Sequence, residues 1–190
     1  MNNQDRFKIC CHEAGHTVIG RVLNNYEVRV IEVFEDKFGH VIWKPSEKME
    51  DKNDLHQIEP YLIMSIAGRV AGEKAEIIPW TIAKPYPSGQ KRKPPVARFP
   101  NPAISLAKTG YELALVGKSE SDKETEIRLV SKFFPQSVVY PYIYYLTTRT
   151  RVVVDENWQK ILAVGSRLFW KSQIWEKEFN KIMRTTKCVP

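Results

Sequence analysis

Apolar residues recur at helical spacing near the start of the chain. They fall at steps of four and three, which places them on one face of a helix. They are Phe7, Cys11, Ala14, Val18 and Val22. Asn2 or Asn3 can cap the start of this helix, and Asn24-Asn25 can end it because asparagine tolerates left-handed backbone geometry. The pattern predicts a first helix between these asparagines.

Two runs of β-branched and aromatic residues follow. The first, VRVIEV, begins at Val28, and the second, FGHVIW, begins at Phe38. Asp36, Lys37 and Gly39 lie near the bend between them, where turn-forming residues are expected. Together the two runs predict a β-hairpin.

A second helical stripe runs from about Asp54 to Glu76. Its apolar members are Leu55, Ile58, Leu62, Ile66 and Val70. Pro60 lies inside the stripe and favours a shorter helix that starts there, because proline is tolerated best in the first helical turn. The sequence leaves both starting points open.

The middle of the chain changes character. Residues 79–102 are rich in proline and include the basic cluster QKRK at 90–93, which predicts a long surface loop or insertion. Helical patterns resume at about 103–116 and 120–134. The aromatic segment 140–146 is compatible with a short strand or a helical turn.

The last helical pattern runs from about Glu156 to Met183 and predicts one amphipathic helix. The full pattern predicts a single domain over residues 1–190, with an insertion at about 79–102. We expect an α+β, predominantly helical fold. In it, the first helix is followed by a small β-hairpin or sheet and then by a helical bundle.

Composition adds limits to this picture. The chain is 43% hydrophobic and 27% charged, which is typical of a globular protein and excludes a disordered or low-complexity chain. It lacks the roughly 18 consecutive apolar residues that a membrane span needs. Its three cysteines, Cys10, Cys11 and Cys188, argue against a disulfide framework and favour a cytoplasmic location.

A net charge of +7 permits an acidic partner. The basic loop is the candidate element for nucleic acid, but charge of this size more often serves solubility. We therefore do not expect nucleic-acid binding from charge alone.

The motif H-E-x-x-H occurs at His12 to His16, inside the first helical pattern. Residues four apart lie on the same face of a helix, so His12 and His16 can present two imidazole nitrogens to one Zn²⁺ ion. Glu13 projects beside them and can take a proton from zinc-bound water. The motif predicts zinc-dependent hydrolysis of a peptide bond with Glu13 as the general base.

The segment FKICCHEAGHTVIGRVL resembles the zinc-peptidase domain of the FtsH-type AAA proteases. Three further segments resemble that family in the expected order. They are VRVIEVFEDKFGHV with Gly39, IAGRVAGE from Ile66 to Glu73, and GKSESD ending at Asp122. The resemblance covers residues 5–76 well and 117–134 loosely, and residues 79–116 have no clear counterpart.

The resemblance implies that Asp122 is the third zinc ligand beside His12 and His16, with a fourth position left for water. Other roles stay open. Asp122 could instead serve in a helix cap with Ser119, and the competing oxygen ligands are Glu120, Glu73 and Glu76.

Four other residues carry weaker expectations. Gly15 lies inside a helix, which suggests the close approach of a second helix or of the wall of the metal site. Arg69 is expected to pair with a carboxylate across the helix packing. His40 and His56 are isolated and are expected at the surface or in turns rather than as ligands.

The resemblance implies a stand-alone, ATP-independent endopeptidase that acts on a polypeptide, with neither the ATPase nor a membrane anchor. Two alternatives remain. One is a regulatory protease of the ImmA/IrrE-like type, which also carries H-E-x-G-H. The other is a non-catalytic module with the peptidase fold that binds a protein or nucleic acid. Substrate specificity and oligomeric state stay open.

Overall fold

The computed structural model describes residues 1–24, 26–34, 38–44, 54–83 and 122–186. These residues form six α-helices and a three-stranded antiparallel sheet, so the predicted α+β, mostly helical fold is confirmed. In chain order the elements are α1 (Asn3–Asn24), β1 (Val28–Val33), β2 (Gly39–Trp43), α2 (Leu55–Glu76), α3 (Asp122–Val130), α4 (Gln136–Glu156), α5 (Trp158–Lys171), β3 (Gln173–Trp175) and α6 (Glu176–Thr185).

Helix α1 lies at the centre and packs against α2 and α5. Four members of its predicted stripe are fully buried, namely Phe7, Cys11, Ala14 and Val18. The fifth member, Val22, is 43% exposed because it lies in the last turn, just before the helix ends. The Asn2 side chain accepts a hydrogen bond from the Asp5 amide at 2.8 Å and thereby caps the start.

Helices α1 and α2 cross at very close range. A Cβ atom on Gly15 would lie 2.5 Å from the Ala67 carbonyl oxygen and 2.8 Å from the Ala71 Cβ. Only a glycine allows the two backbones to approach this far. The expectation for Gly15 is confirmed, and this crossing brings the H-E-x-x-H face of α1 against α2.

Helix α2 begins at Leu55, and the Asp54 side chain caps it by accepting a hydrogen bond from the His56 amide at 2.9 Å. The helix continues through Pro60, so the shorter alternative is wrong. A proline in a helix interior costs about 3 kcal/mol. The segment before Pro60 buries Ile58, and a buried aliphatic side chain contributes about 1.5–3 kcal/mol. The Asp54 cap contributes about 0.5–2 kcal/mol, so together they offset the proline.

The sheet has the strand order β2-β1-β3. The predicted hairpin is confirmed as β1 and β2, which pair antiparallel. Strand β3 was not predicted. Its Ile174 is fully buried, and its backbone pairs with β1, which places Ile174 opposite Ile31.

The single helix predicted over 156–183 is wrong, because β3 divides it into α5 and α6. The break occurs at Ser172, whose backbone is left-handed with φ 65°. Arg6 on α1 stabilises this bend by donating to the Phe169 carbonyl oxygen at 3.2 Å and to Ser172 Oγ at 2.8 Å.

The segment 140–146 is helical rather than a strand, and it is part of the longer helix α4. The helix forms because Val139, Leu146, Thr150 and Val154 are buried at helical spacing. The helical pattern at 120–134 is described as α3, which ends at Val130. The predictions for residues 84–102 and 103–116 fall outside the described residues.

Residues from all the helices share one hydrophobic core. Cys10 and Cys11 are buried in it as free thiols. In the part of the chain that the structure describes, no helix has the length and apolar character to cross a membrane.

Candidate metal centre

Two histidines of α1 form one side of the site. The Nε2 atoms of His12 and His16 are 3.0 Å apart, as expected for residues separated by one helical turn. His16 Nδ1 donates to the Met64 carbonyl oxygen on α2 at 3.0 Å. That bond uses Nδ1, so the other ring nitrogen, Nε2, is the one that faces the site.

Asp122 completes the group from a distant part of the chain. Its Oδ2 atom lies 3.2 Å from His12 Nε2 and 3.3 Å from His16 Nε2. Asp122 is the first residue of α3, where the helix dipole favours a carboxylate. The structure thus brings together His12, His16 and Asp122, the three residues expected to act as ligands.

The competing carboxylates lie elsewhere or outside the described residues. On the surface of α2, Glu73 Oε1 lies 3.9 Å from Arg69 Nη1, and Glu76 Oε2 lies 2.7 Å from Lys8 Nζ. Neither belongs to the group of possible ligands. Glu120 and Ser119 lie outside the described residues.

The spacing of the three donor atoms is a few tenths of an ångström tighter than that around a tetrahedral ion. Nitrogen and oxygen ligands bind Zn²⁺ at about 2.0–2.2 Å, so two ligand atoms of a tetrahedral site lie roughly 3.3–3.6 Å apart. The observed separations are 3.0–3.3 Å. Two imidazoles and a carboxylate suit zinc better than they suit magnesium or calcium.

The group is open on one side. The exposed fractions of the side chains are 31% for His12, 13% for His16 and 41% for Asp122. A site with three protein ligands and access to solvent can accept water or substrate in a fourth position.

The electrostatics of the group favour positive charge. Burial lowers the pKa of His16, but the hydrogen bond that its ring donates to Asp122 and the charges of Asp122 and Glu13 outweigh burial and raise that pKa to about 9. Burial would raise the pKa of Asp122, but its contacts with His12 and His16 hold it well below its usual value. The same charges would attract a divalent cation.

Glu13 is a buried carboxylate beside these ligands, with 6% of the residue exposed. Burial raises its pKa, and the charges of His16 and His12 counteract part of that rise. A Cβ atom on Gly39 would lie 2.6 Å from Glu13 Cγ and 2.7 Å from Oε1, so Gly39 lets β2 lie directly against this carboxylate. A carboxylate of raised basicity is suited to act as a general base.

Gly68 on α2 lies next to the Nε2 edge of the His16 ring. A Cβ atom there would overlap His16 Nε2 and Cε1. Glycine at this position therefore leaves the ligand nitrogen accessible. Sequence reasoning marked Gly68 only through the family resemblance, and the site geometry supplies the physical reason.

The other two histidines lie outside the group of possible ligands, as expected. His40 on β2 contacts Glu32 Oε2 through Nε2 at 3.0 Å, and its ring stacks on Phe34. Its hydrogen bond lowers the pKa of Glu32. His56 is exposed in the first turn of α2.

Arg69 pairs with a carboxylate across the helix packing, as predicted. Its Nη2 atom lies 3.4 Å from Glu126 Oε2 on α3. Sequence reasoning missed Glu126, although its spacing of four residues from Asp122 placed the two carboxylates on one helical face.

A comparison with models of protein families found no match to this chain, and a comparison with curated proteins also found none. The resemblance to FtsH-type peptidase domains therefore stays a prediction from the motifs.

Proposed function

We propose that this chain is a zinc-dependent peptidase in which His12, His16 and Asp122 hold the ion and Glu13 is the general base. One observation carries the proposal: donor atoms from α1 and α3 converge to within 3.3 Å of one another. A metal centre with three protein ligands requires such a convergence of donor atoms.

A bound zinc ion would lower the pKa of a water molecule toward 7 and polarise the scissile carbonyl. Glu13 accepts a proton from the attacking water and passes it to the leaving amine. Burial of Glu13 supports this role because it makes the carboxylate more basic. The bond from His16 Nδ1 to Met64 orients the imidazole for its ligand role.

The sheet supports a polypeptide as the substrate. Among the described strands β2 lies at the edge of the sheet, and its Gly39 contacts Glu13. An edge strand offers unpaired backbone groups to an extended peptide. A peptide paired there would run past the general base.

The test combines metal analysis with cleavage of an unfolded protein substrate. We expect about one zinc per wild-type chain by elemental analysis. Glu13→Gln should retain the zinc and lose at least about 100-fold in cleavage rate, since general-base catalysis contributes about 10²–10⁴-fold. His12→Ala should lose the metal.

Glu76→Gln is the matched control, because Glu76 is a glutamate on the exposed surface that pairs with Lys8. It should change neither zinc content nor rate. Full cleavage by Glu13→Gln would refute the mechanism. Zinc binding without cleavage by the wild type would favour a non-catalytic binding module, and a wild type that takes up no zinc would refute the metal centre.

A further inference from the structure

Asp122 depends on its surroundings more than the two histidines do. His12 and His16 lie on the long central helix α1, whereas Asp122 begins α3, a helix of nine residues. A helix this short is not stable by itself in water, so tertiary contacts must hold it. The position of the third donor atom is therefore set by whatever holds α3.

A buried polar contact of α3 lies one turn beyond Asp122. Glu126 is fully buried, at 0% exposure. Its Oε1 atom accepts a hydrogen bond from Ser65 Oγ at 3.4 Å, and its Oε2 atom lies 3.4 Å from Arg69 Nη2. Both partners belong to α2.

The same guanidinium also reaches α4. Arg69 Nη2 lies 3.5 Å from Thr147 Oγ1, so one side chain contacts three helices. A buried carboxylate is costly without a partner, which makes the contact with Arg69 a requirement for burying Glu126 at all.

We propose that the Arg69–Glu126 pair is a positioning element of the metal centre, which sets the rotation and height of α3 so that Asp122 reaches His12 and His16. The inference rests on the proposed function, because it concerns the binding of zinc. Asp122 and Glu126 lie on the same face of α3, so a shift at one moves the other.

The apolar contacts of α3 cannot do this alone. Leu129 and Val130 are buried and hold the helix against the core. Hydrophobic burial is not directional and tolerates sliding or rotation of a short helix. A charged hydrogen bond with fixed partners is directional, so it defines where Asp122 lies.

The first experiment measures the Kd for Zn²⁺ of the full chain by competition with a chromophoric chelator. Glu126→Gln should weaken binding by about 10–100-fold, the usual effect of removing a group that orients a ligand. Glu59→Gln is the matched control, because Glu59 is a carboxylate of α2 that pairs with Arg149 and Tyr142 on α4. Its Kd should equal that of the wild type.

The second experiment separates positioning from general structure. In an Asp122→Ala background, Glu126→Gln should weaken zinc binding no further, because the residue through which it acts is gone. An equal loss in both backgrounds would overturn the proposal, since the pair would then act on the whole fold.

Arg69→Met combined with Glu126→Met covers the case in which a lone buried charge prevents folding. This double variant should fold, and its Kd for Zn²⁺ should be at least about 10-fold higher than that of the wild type. Wild-type affinity in both this variant and Glu126→Gln, with Asp122→Ala clearly weaker, would overturn this inference and leave the proposed function standing. A wild type that binds no zinc would overturn both.

Discussion

The absence of a side chain at two glycines leaves space for the metal centre. Gly39 lets β2 lie against Glu13, and Gly68 leaves His16 Nε2 uncovered. Each position excludes even a methyl group, although neither requires an unusual backbone angle. The chemistry of His12, Glu13 and His16 thus depends on residues that carry no chemical group of their own.

Gly68→Ala should abolish zinc binding, because the new Cβ would overlap the ligand nitrogen of His16. We expect a loss of at least about 100-fold in affinity, measured by chelator competition. Gly72→Ala is the matched control on the same helix, since its Cβ would meet His12 at an ordinary 3.6 Å. Equal zinc affinities in the two variants would contradict the assignment of His16 Nε2 as a ligand.

At the scale of elements, the close crossing of α1 and α2 brings the H-E-x-x-H motif against α2. The crossing depends on Gly15, which touches the backbone of α2 at Ala67. The crossing also places the Met64 carbonyl oxygen within hydrogen-bonding distance of His16 Nδ1, and it places Gly68 next to His16 Nε2. Packing and metal chemistry therefore share the same contact surface.

Gly15→Ala should destabilise the fold by about 1–3 kcal/mol through overpacking. Helix propensity alone predicts a gain of about 1 kcal/mol for the same change, so the sign of the effect distinguishes the two. Denaturant unfolding of the variant, with Gly72→Ala alongside, measures the free energy of unfolding. Stabilisation by Gly15→Ala would show that the helices can move apart at no cost.

The ion pairs that attach α6 to α5 predict that the stability of the fold depends on pH. Burial would raise the pKa of Glu178, but hydrogen bonds from Lys171 and Arg167 outweigh it and lower that pKa below 4.5. A carboxylate whose pKa is lower in the folded state stabilises the fold at pH values above its unfolded-state pKa. This stabilisation is lost as the pH falls through the folded-state pKa.

The free energy of unfolding should therefore fall more steeply below about pH 4.5 in the wild type than in Glu178→Gln. Unfolding curves at pH 3 to 7 measure the difference. Glu156→Gln, which changes an exposed glutamate at the end of α4, should follow the wild type. Parallel curves for the wild type and Glu178→Gln would contradict the ion pair.

At the scale of the whole molecule, a bound ion would connect the first and the later parts of the chain. The ligands belong to α1 and α3, and α3 is otherwise held by α2 and α4. Because the unfolded chain does not hold these ligands together, the free energy of zinc binding adds to the stability of the fold.

Zinc should accordingly raise the melting temperature. At a free concentration 1,000 times the Kd the stabilisation is about 4 kcal/mol. This stabilisation should shrink as the pH falls below about 9, the raised pKa of His16, because protons then compete with the metal for its imidazole. Scanning calorimetry with and without a chelator measures the change in melting temperature. An equal zinc effect in Asp122→Ala would exclude Asp122 as a ligand.

Local patterns determined a large part of this protein. The spacing of His12 and His16, the cap at Asn2 and the two β-branched runs are properties of adjacent residues, so local sequence patterns predict them. Gly15 also revealed a close contact, because a glycine inside a helix usually has a steric reason.

Only the tertiary structure decided the rest, since it depends on contacts between residues distant in the chain. Strand β3 forms because Ile174 is buried opposite Ile31, and this pairing overrides a helical pattern that continues through Ser172. The position of Asp122 beside His12 depends on the packing of α3 against α2. Periodicity records one element at a time, whereas a metal centre requires that two elements meet.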